Sequence, residues 1–150
     1  MPVSSSPLDD VLPHRKPMVL IDEIVAFDAA AGSLTAAVTA TREWSENWTA
    51  IEFMAQTAAA LAGKVDRLGG YEGPARPGFL LGTRRLDLDL DRFEAGARYL
   101  VTATCAFSDA ETASFECVVT QARDGAVVAK ATLNAYRPQD IRGFMAAQRE

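Results

Sequence analysis

A carboxylate and an amide are spaced so that they would lie side by side on one helix. Glu52 and Gln56 are four residues apart in a largely apolar stretch, and residues at i and i+4 are neighbours on a helix surface. A buried amide must find hydrogen-bond partners, so Gln56 is not easily explained as a solvated side chain. Glu52 also has a local interpretation, because residues 49–52 match a capping box in which Glu52 bonds back to the amide of Thr49. The spacing leaves both a functional role and a capping role open for Glu52.

Histidine occurs once in the chain, at position 14. A mechanism that needs an imidazole titrating near neutral pH therefore has one candidate per chain. His14 lies in a polar segment between Pro13 and Pro17, and flanking prolines hold a loop rigid. The alternative is an isolated histidine with an ordinary surface or structural role. A single histidine excludes a two-histidine metal site within one chain, and we predict neither a metal nor a cofactor.

Composition limits the classes of function. The 150 residues include 20 acidic and 15 basic side chains, which gives a formal charge of −5. Nucleic-acid binding usually requires a clustered basic excess, so it is not expected here. The length predicts a single globular domain over residues 1–150. Two cysteines, at positions 105 and 117, are too few for a disulfide framework and favour a cytoplasmic protein with reduced thiols. Neither a signal peptide nor a membrane span is predicted.

The hydrophobic pattern predicts the elements that must position these residues. Apolar residues at three- and four-residue steps predict a helix over about 48–68, ended by Gly69 and Gly70. Strands are predicted over 18–27, 33–41, 86–91, 98–107, 112–122 and 126–136, with short helical turns at 8–13 and from 138 onward. The Leu-Asp alternation over 86–91 predicts one face in the core and one in water. One long helix beside about six strands indicates an α+β protein, either a hot-dog fold or a plain sheet that carries a helix.

Three motifs occur in a fixed order along the chain. They are Leu-Pro-His-Arg-x-Pro-Met-x-Leu-Ile-Asp at 12–22, Ile-Glu-Phe-Met-Ala-Gln at 51–56 and Gly-Phe-Leu-Leu-Gly at 78–82. Together they resemble the 3-hydroxyacyl-acyl-carrier-protein dehydratases of hot-dog fold, over residues from about 8 to about 137. The resemblance looks closest to the branch associated with aryl-polyene biosynthesis, which shares the Pro-His motif and a tryptophan-containing approach to the helix. It implies a hot-dog fold and a dimer built through a shared, extended sheet.

The resemblance implies that a 3-hydroxyacyl thioester loses water to form a trans-2-enoyl thioester, but the chain departs from the family pattern at one point. The fatty-acid dehydratases of the superfamily carry a catalytic histidine in a Gly-His-Phe-Pro-Gly loop before the helix, whereas residues 42–48 here contain no histidine. Glu52 matches the family's helix glutamate, and Gln56 matches the glutamine that follows it. In the first hypothesis His14 supplies the missing base, and His14 and Glu52 divide the acid and base steps between them. Free amides at the helix N-terminus would polarise the thioester carbonyl.

Two other functions remain open. The missing loop histidine favours a catalytically inactive hot-dog subunit that pairs with an active homologue, as a heterodimer. An acidic residue on the central helix also suits an acyl thioesterase.

The predicted partners follow from the substrate, which would be a thioester of acyl carrier protein or of coenzyme A. Acyl carrier proteins are acidic, so a basic rim is expected on the enzyme, although each of these residues alone could be a scattered solvated charge. The predicted carrier-protein contacts are Arg15, Lys16, Arg84 and Arg85. Gln56 is predicted to bind the substrate. Large apolar residues that would line an acyl tunnel, unless they are simply core, are Trp44, Trp48, Phe53, Phe79 and Leu81.

Overall fold

The computed structural model describes residues 19–74, 78–109 and 111–136. Its elements in chain order are β1 (Glu23–Asp28), β2 (Ser33–Thr39), α1 (Thr49–Leu68), β3 (Phe79–Leu88), β4 (Arg98–Ser108), β5 (Thr112–Gln121) and β6 (Val127–Tyr136). The helical turns predicted at 8–13 and from 138 onward lie outside the described residues. His14, Arg15 and Lys16 also lie outside them.

The six strands form one antiparallel sheet in the order β1-β2-β4-β5-β6-β3. Among the described strands, β1 and β3 therefore lie at opposite edges. The turn between β5 and β6 follows the residue chemistry, because Gly125 has a φ of 75° and the Asp124 carboxylate accepts a hydrogen bond from the Ala126 amide at 2.9 Å. In the described residues, one helix beside six antiparallel strands confirms the predicted α+β architecture.

The core lies between α1 and the middle of the sheet, where the helix packs chiefly on β4 and β2. Phe53, Met54 and Leu61 are fully buried on the helix side, and burying a side chain of this size stabilises a fold by about 1.5–3 kcal/mol. The sheet contributes a matching set of buried side chains, Leu34, Val38, Val101, Val119 and Leu133. This packing fixes the direction in which the remaining faces of the helix point.

Several side chains of the alanine-rich helix are only half-buried or exposed in the described part of the chain. Ala50, Ala58 and Ala60 are buried against the sheet, as their small size allows. Ala55 and Ala59 are only half-buried, and Leu68 is exposed. The helix ends at Gly69 as predicted, where the Gly69 amide donates to the carbonyl of Val65 at 3.0 Å. Within the described residues, no helix is both long enough and apolar enough to cross a membrane.

Strand β3 differs from the strand predicted over 86–91. It begins at Phe79, ends at Leu88 and contains an irregularity between Arg84 and Asp87, where Arg85 adopts a φ of 54°. Leu86 is exposed instead of reaching the core. Leu88 and Leu90 are half-buried and pack against the core, while the aspartates at 87, 89 and 91 are exposed. The expected core-and-water alternation therefore holds over 87–91 and fails at Leu86, because a bulge in an edge strand redirects its side chains.

Candidate active site

The amide of Gln56 connects the helix to the chain segment that precedes β1. Its Oε1 accepts a hydrogen bond from the backbone amide of Leu20 at 2.8 Å and a longer one from Ile21 at 3.4 Å. Its Nε2 donates to Oε1 of Glu52 at 3.0 Å. The Gln56 side chain is 0% exposed, so the buried amide has found the partners that its burial requires.

Glu52 lies in the first turn of α1 and is half-buried, so it is more accessible than Gln56. A negative charge near a helix N-terminus is stabilised by the helix dipole. The capping-box interpretation is wrong, because Trp48 occupies the N-cap position without a side-chain cap hydrogen bond. Thr49 is instead the first helical residue, and its buried hydroxyl has no hydrogen-bond partner in the structure as described. Glu52 is therefore oriented by Gln56 and not by the cap.

The start of the helix is closed by its own preceding turn. The amides of Thr49, Ala50 and Ile51 donate to the carbonyls of residues 46, 47 and 48 at 3.0, 3.2 and 3.1 Å. The expectation that these amides are free to polarise a thioester carbonyl is therefore wrong for all three. The physical reason is that residues 46–48 already turn in the direction of the helix and satisfy its first donors.

The loop that replaces the family's histidine loop is fastened to the segment before β4. Arg92 donates to the hydroxyl of Ser45 at 2.8 Å and forms an ion pair with Glu46 at 3.3 Å. The Phe93 amide donates to the Ser45 carbonyl at 2.7 Å. Ser45 and Glu46 thus hold this loop against the segment before β4.

Trp48 is the N-cap residue of the helix, and its side chain is 57% exposed. An exposed indole at the start of the helix provides an apolar surface for a bound molecule. The predicted role of Trp48 in substrate contact stays a prediction.

A cleft of about 420 Å³ opens next to the start of the helix. Val19, Leu20, Trp44 and Phe53 give it apolar walls. The polar residues that complete it are Asp22, Thr39, Thr41, Arg42 and Glu43. Trp44 and Phe53 were identified from the sequence as large apolar residues, whereas Val19 and Leu20 were missed. No local signal marks these two, because the cleft forms only when segments distant in sequence meet.

The remaining predicted site residues lie on β3, at the sheet edge opposite β1. Phe79 begins this strand, Leu81 is 63% exposed, and Arg84 and Arg85 are both exposed. Arg84 makes a long contact of 3.5 Å with Oδ1 of Asn134. The sheet order separates these residues from the segment that Gln56 holds before β1. In residues 19–74, 78–109 and 111–136, no group of three His, Cys, Asp or Glu side chains is placed to hold a metal ion.

Comparisons with known proteins agree with this architecture. The closely similar structures include the dehydratase heterocomplex ApeI:P from Xenorhabdus doucetiae, with a TM-score of 0.82, 23% identity, and 96% of this chain and 99% of that chain covered. A hypothetical thioesterase with coenzyme A from Streptococcus pneumoniae gives a TM-score of 0.58 at 15% identity, covering 77% of this chain and 84% of that one. The PaaI protein from the phenylacetic acid degradation operon of E. coli gives 0.56 at 16% identity, covering 76% and 81%. These likenesses confirm the predicted hot-dog fold.

The family assignment rests on the sequence itself. A search of curated proteins returned no match. The family model for ApeP-like proteins, described as ApeP dehydratase, matches residues 6–146, which is nearly the whole chain. The chain therefore belongs to the ApeP-like dehydratase family.

Proposed function

We propose that this chain takes part in the dehydration of a 3-hydroxyacyl thioester, with His14 as the base and Glu52 as the acid. The base removes the proton from the α-carbon, and the acid protonates the leaving hydroxyl. The C–H electron pair becomes the new C=C bond, the C–O bond breaks, and the products are a trans-2-enoyl thioester and water. The single observation that supports this proposal best is the placement of Glu52, accessible on the helix and held by a buried amide.

Chain length supports the role of His14. His14 precedes Leu20 by six residues, and six residues span at most about 20 Å. The Leu20 amide bonds to Gln56, which in turn bonds to Glu52. A short stretch of chain thus connects His14 to Leu20, and through Gln56 to its proposed partner Glu52.

The substrate in this proposal is carried by an acyl carrier protein. Arg84 and Arg85 are adjacent and exposed on β3 in a chain with a net charge of −5, and an acidic carrier needs such a local positive surface. Arg15 and Lys16 would extend this surface. The apolar contacts to the acyl group would come from Trp48, Phe79 and Leu81. The pathway would be fatty-acid or aryl-polyene biosynthesis in the cytoplasm, where Cys105 and Cys117, which are free thiols, stay reduced.

A second candidate function is that of a hot-dog subunit that works only with a partner. Two features favour it: the amides of residues 49–51 already have acceptors and are not free for a thioester carbonyl, and residues 42–48 contain no histidine. The similar structure from Xenorhabdus doucetiae is a heterocomplex. We propose that a second hot-dog subunit pairs with the single domain of this chain along β3, which is an edge strand of the described sheet and exposes Leu80 and Leu81.

The test measures which product forms and which proteins are needed. A 3-hydroxyacyl carrier-protein thioester is incubated with the purified chain, alone and together with a hot-dog homologue, and both enoyl product and free thiol are quantified. Enoyl formation by the chain alone supports the first function, and enoyl formation only in the mixture supports the second. Thiol release without enoyl product would overturn both and indicate the acyl thioesterase.

A further inference from the structure

We infer that Gln56 is a positioning residue that joins Glu52 to the chain segment leading from the Pro-His motif. Only the catalytic consequence of this inference rests on the proposed function, since the connection itself consists of hydrogen bonds in the structure. One side-chain amide makes the connection in both directions. Its carbonyl oxygen binds two backbone amides, and its nitrogen binds the carboxylate. This role differs from the direct substrate contact predicted for Gln56 from the sequence.

The segment that Gln56 holds is fixed from its other side as well. Leu20 and Ile21 are buried. The Asp22 amide donates to the Ala37 carbonyl at 2.8 Å, and the Asp22 carboxylate accepts from the Thr39 amide at 2.6 Å. Residues 20–22 are thus clamped between β2 and the helix. Gln56 supplies the helix side of that clamp.

The glutamine amide can make both connections at once. Glutamine offers an acceptor and a donor at the end of the same side chain, whereas an ionised glutamate is an acceptor only and methionine offers neither of comparable strength. Gln56→Glu therefore keeps the acceptor for Leu20 but places a second carboxyl against Glu52. Gln56→Met removes both the acceptor and the donor at similar side-chain volume. Gln56→Glu thus keeps an acceptor for residues 20–21, and Gln56→Met removes the hydrogen bonds to residues 20–21 and to Glu52 together.

The control is a neighbouring residue with the same burial. Thr57 is 0% exposed, and its hydroxyl donates to the Phe53 carbonyl of the same helix at 2.8 Å. Thr57→Val removes a buried polar group from α1 without touching the clamp. General destabilisation of the helix would be common to this variant and to the Gln56 variants.

The first measurement is backbone amide hydrogen exchange by NMR in the full chain. In Gln56→Met the amide of Leu20 loses its acceptor, and we expect its exchange to rise by roughly tenfold or more relative to Thr57→Val. In Gln56→Glu the Leu20 amide stays protected. If Leu20 and Ile21 exchange alike in Gln56→Met and in Thr57→Val, the inference is wrong.

The second measurement is the NMR chemical shift of the Glu52 carboxyl carbon at neutral pH. In Gln56→Met the carboxylate loses the hydrogen bond from Nε2 of residue 56, so we expect its carboxyl shift to differ from that of the parent, while Thr57→Val leaves it in place. A carboxyl shift that is the same in Gln56→Met as in Thr57→Val would overturn the inference.

The third measurement connects the clamp to catalysis. In the assembly that dehydrates the thioester, we expect Gln56→Met to lower kcat by roughly tenfold or more with KM little changed, because Glu52 is no longer held in place, while Thr57→Val changes neither. A loss of kcat in Gln56→Met no larger than that in Thr57→Val would contradict the positioning role. If the parent itself forms no enoyl product in any assembly, the proposed function fails, and the exchange and chemical-shift results still decide the role of Gln56.

Discussion

An aromatic cluster supports the start of helix α1, and its strength can be measured through Phe93. Phe93 is 2% exposed. Its ring centroid lies 5.1 Å from that of Phe53 and 4.9 Å from that of Tyr99, and both pairs pack edge to face. Phe53 is the neighbour of Glu52 in the sequence, so this cluster holds the first turn of the helix against the segment before β4.

The loss on substitution follows from the two ring pairs. Each edge-to-face pair contributes about 0.5–1.5 kcal/mol beyond the area that it buries, so Phe93→Leu is expected to lower the free energy of unfolding by about 1–3 kcal/mol. Phe93→Ala also leaves a cavity, and its expected cost is about 3–5 kcal/mol. The matched control is Phe107, which is 59% exposed, and Phe107→Leu is expected to change stability by less than about 0.5 kcal/mol.

The assay is equilibrium unfolding in urea, followed by tryptophan fluorescence and by circular dichroism. The two signals should give one transition, and the slope with denaturant should be the same in all variants, so that midpoint shifts report stability. A loss for Phe93→Leu no larger than that for Phe107→Leu would contradict this prediction, because the ring pairs would then contribute nothing measurable to stability.

Three further predictions concern single side chains. Burial, with a smaller effect from the adjacent Glu116 charge, raises the pKa of the Cys117 thiol to about 12. A thiol reagent at pH 8 should therefore label the half-buried Cys105 and leave Cys117 unlabelled in the native protein. Mass spectrometry of the labelled peptides checks this prediction, and equal labelling of the two cysteines would contradict it. Arg85 has a φ of 54°, a conformation that costs a non-glycine residue about 1–2 kcal/mol. Arg85→Gly should therefore leave the free energy of unfolding unchanged or raise it slightly. A clear loss of stability in chemical denaturation would contradict the bulge at this position. Hydrogen bonds, the strongest from the Thr112 amide, lower the pKa of Asp109 below its usual value of 3.8. A carboxyl with a lowered pKa stabilises the fold at pH values above its usual pKa and loses this contribution as the pH falls through the folded-state pKa. Asp109→Asn should therefore lose less stability on acidification than the parent does. Identical profiles of stability against pH would contradict this prediction.

Elements with local signals could be predicted from the sequence. The helix predicted over 48–68 is found at Thr49–Leu68, because its apolar period and its terminal glycine are both local features. The strands predicted over 98–107 and 112–122 differ from β4 and β5 by one residue at one end. Their register, and the order of the sheet, depend on pairings between distant strands and were not predicted.

The features that could not be predicted from the sequence depend on contacts between residues that are distant along the chain or on backbone geometry. Burial of Gln56 predicted that its amide has partners, but the partner Leu20 is 36 residues away, and no pattern identifies it. The strand expected over 18–27 begins only at Glu23, because residues 20 and 21 bond to the helix instead. The bulge in β3 and the closed helix start depend on backbone geometry that composition does not encode. The structure thus corrects the predicted capping box, the predicted free amides and the predicted bounds of β3. It agrees with the prediction that Glu52 and Gln56 are neighbours.

The most direct test of the account compares dehydration rates of Glu52→Gln and the parent in the assembly that turns over a 3-hydroxyacyl carrier-protein thioester. Glu116→Gln is the control, because Glu116 is an exposed β5 carboxylate bonded to Thr132. Removing a general acid typically costs about 10²–10⁴-fold in rate, and we expect a loss in that range for Glu52→Gln with little change for Glu116→Gln. Enoyl formation by Glu52→Gln at the parent rate would contradict the central claim.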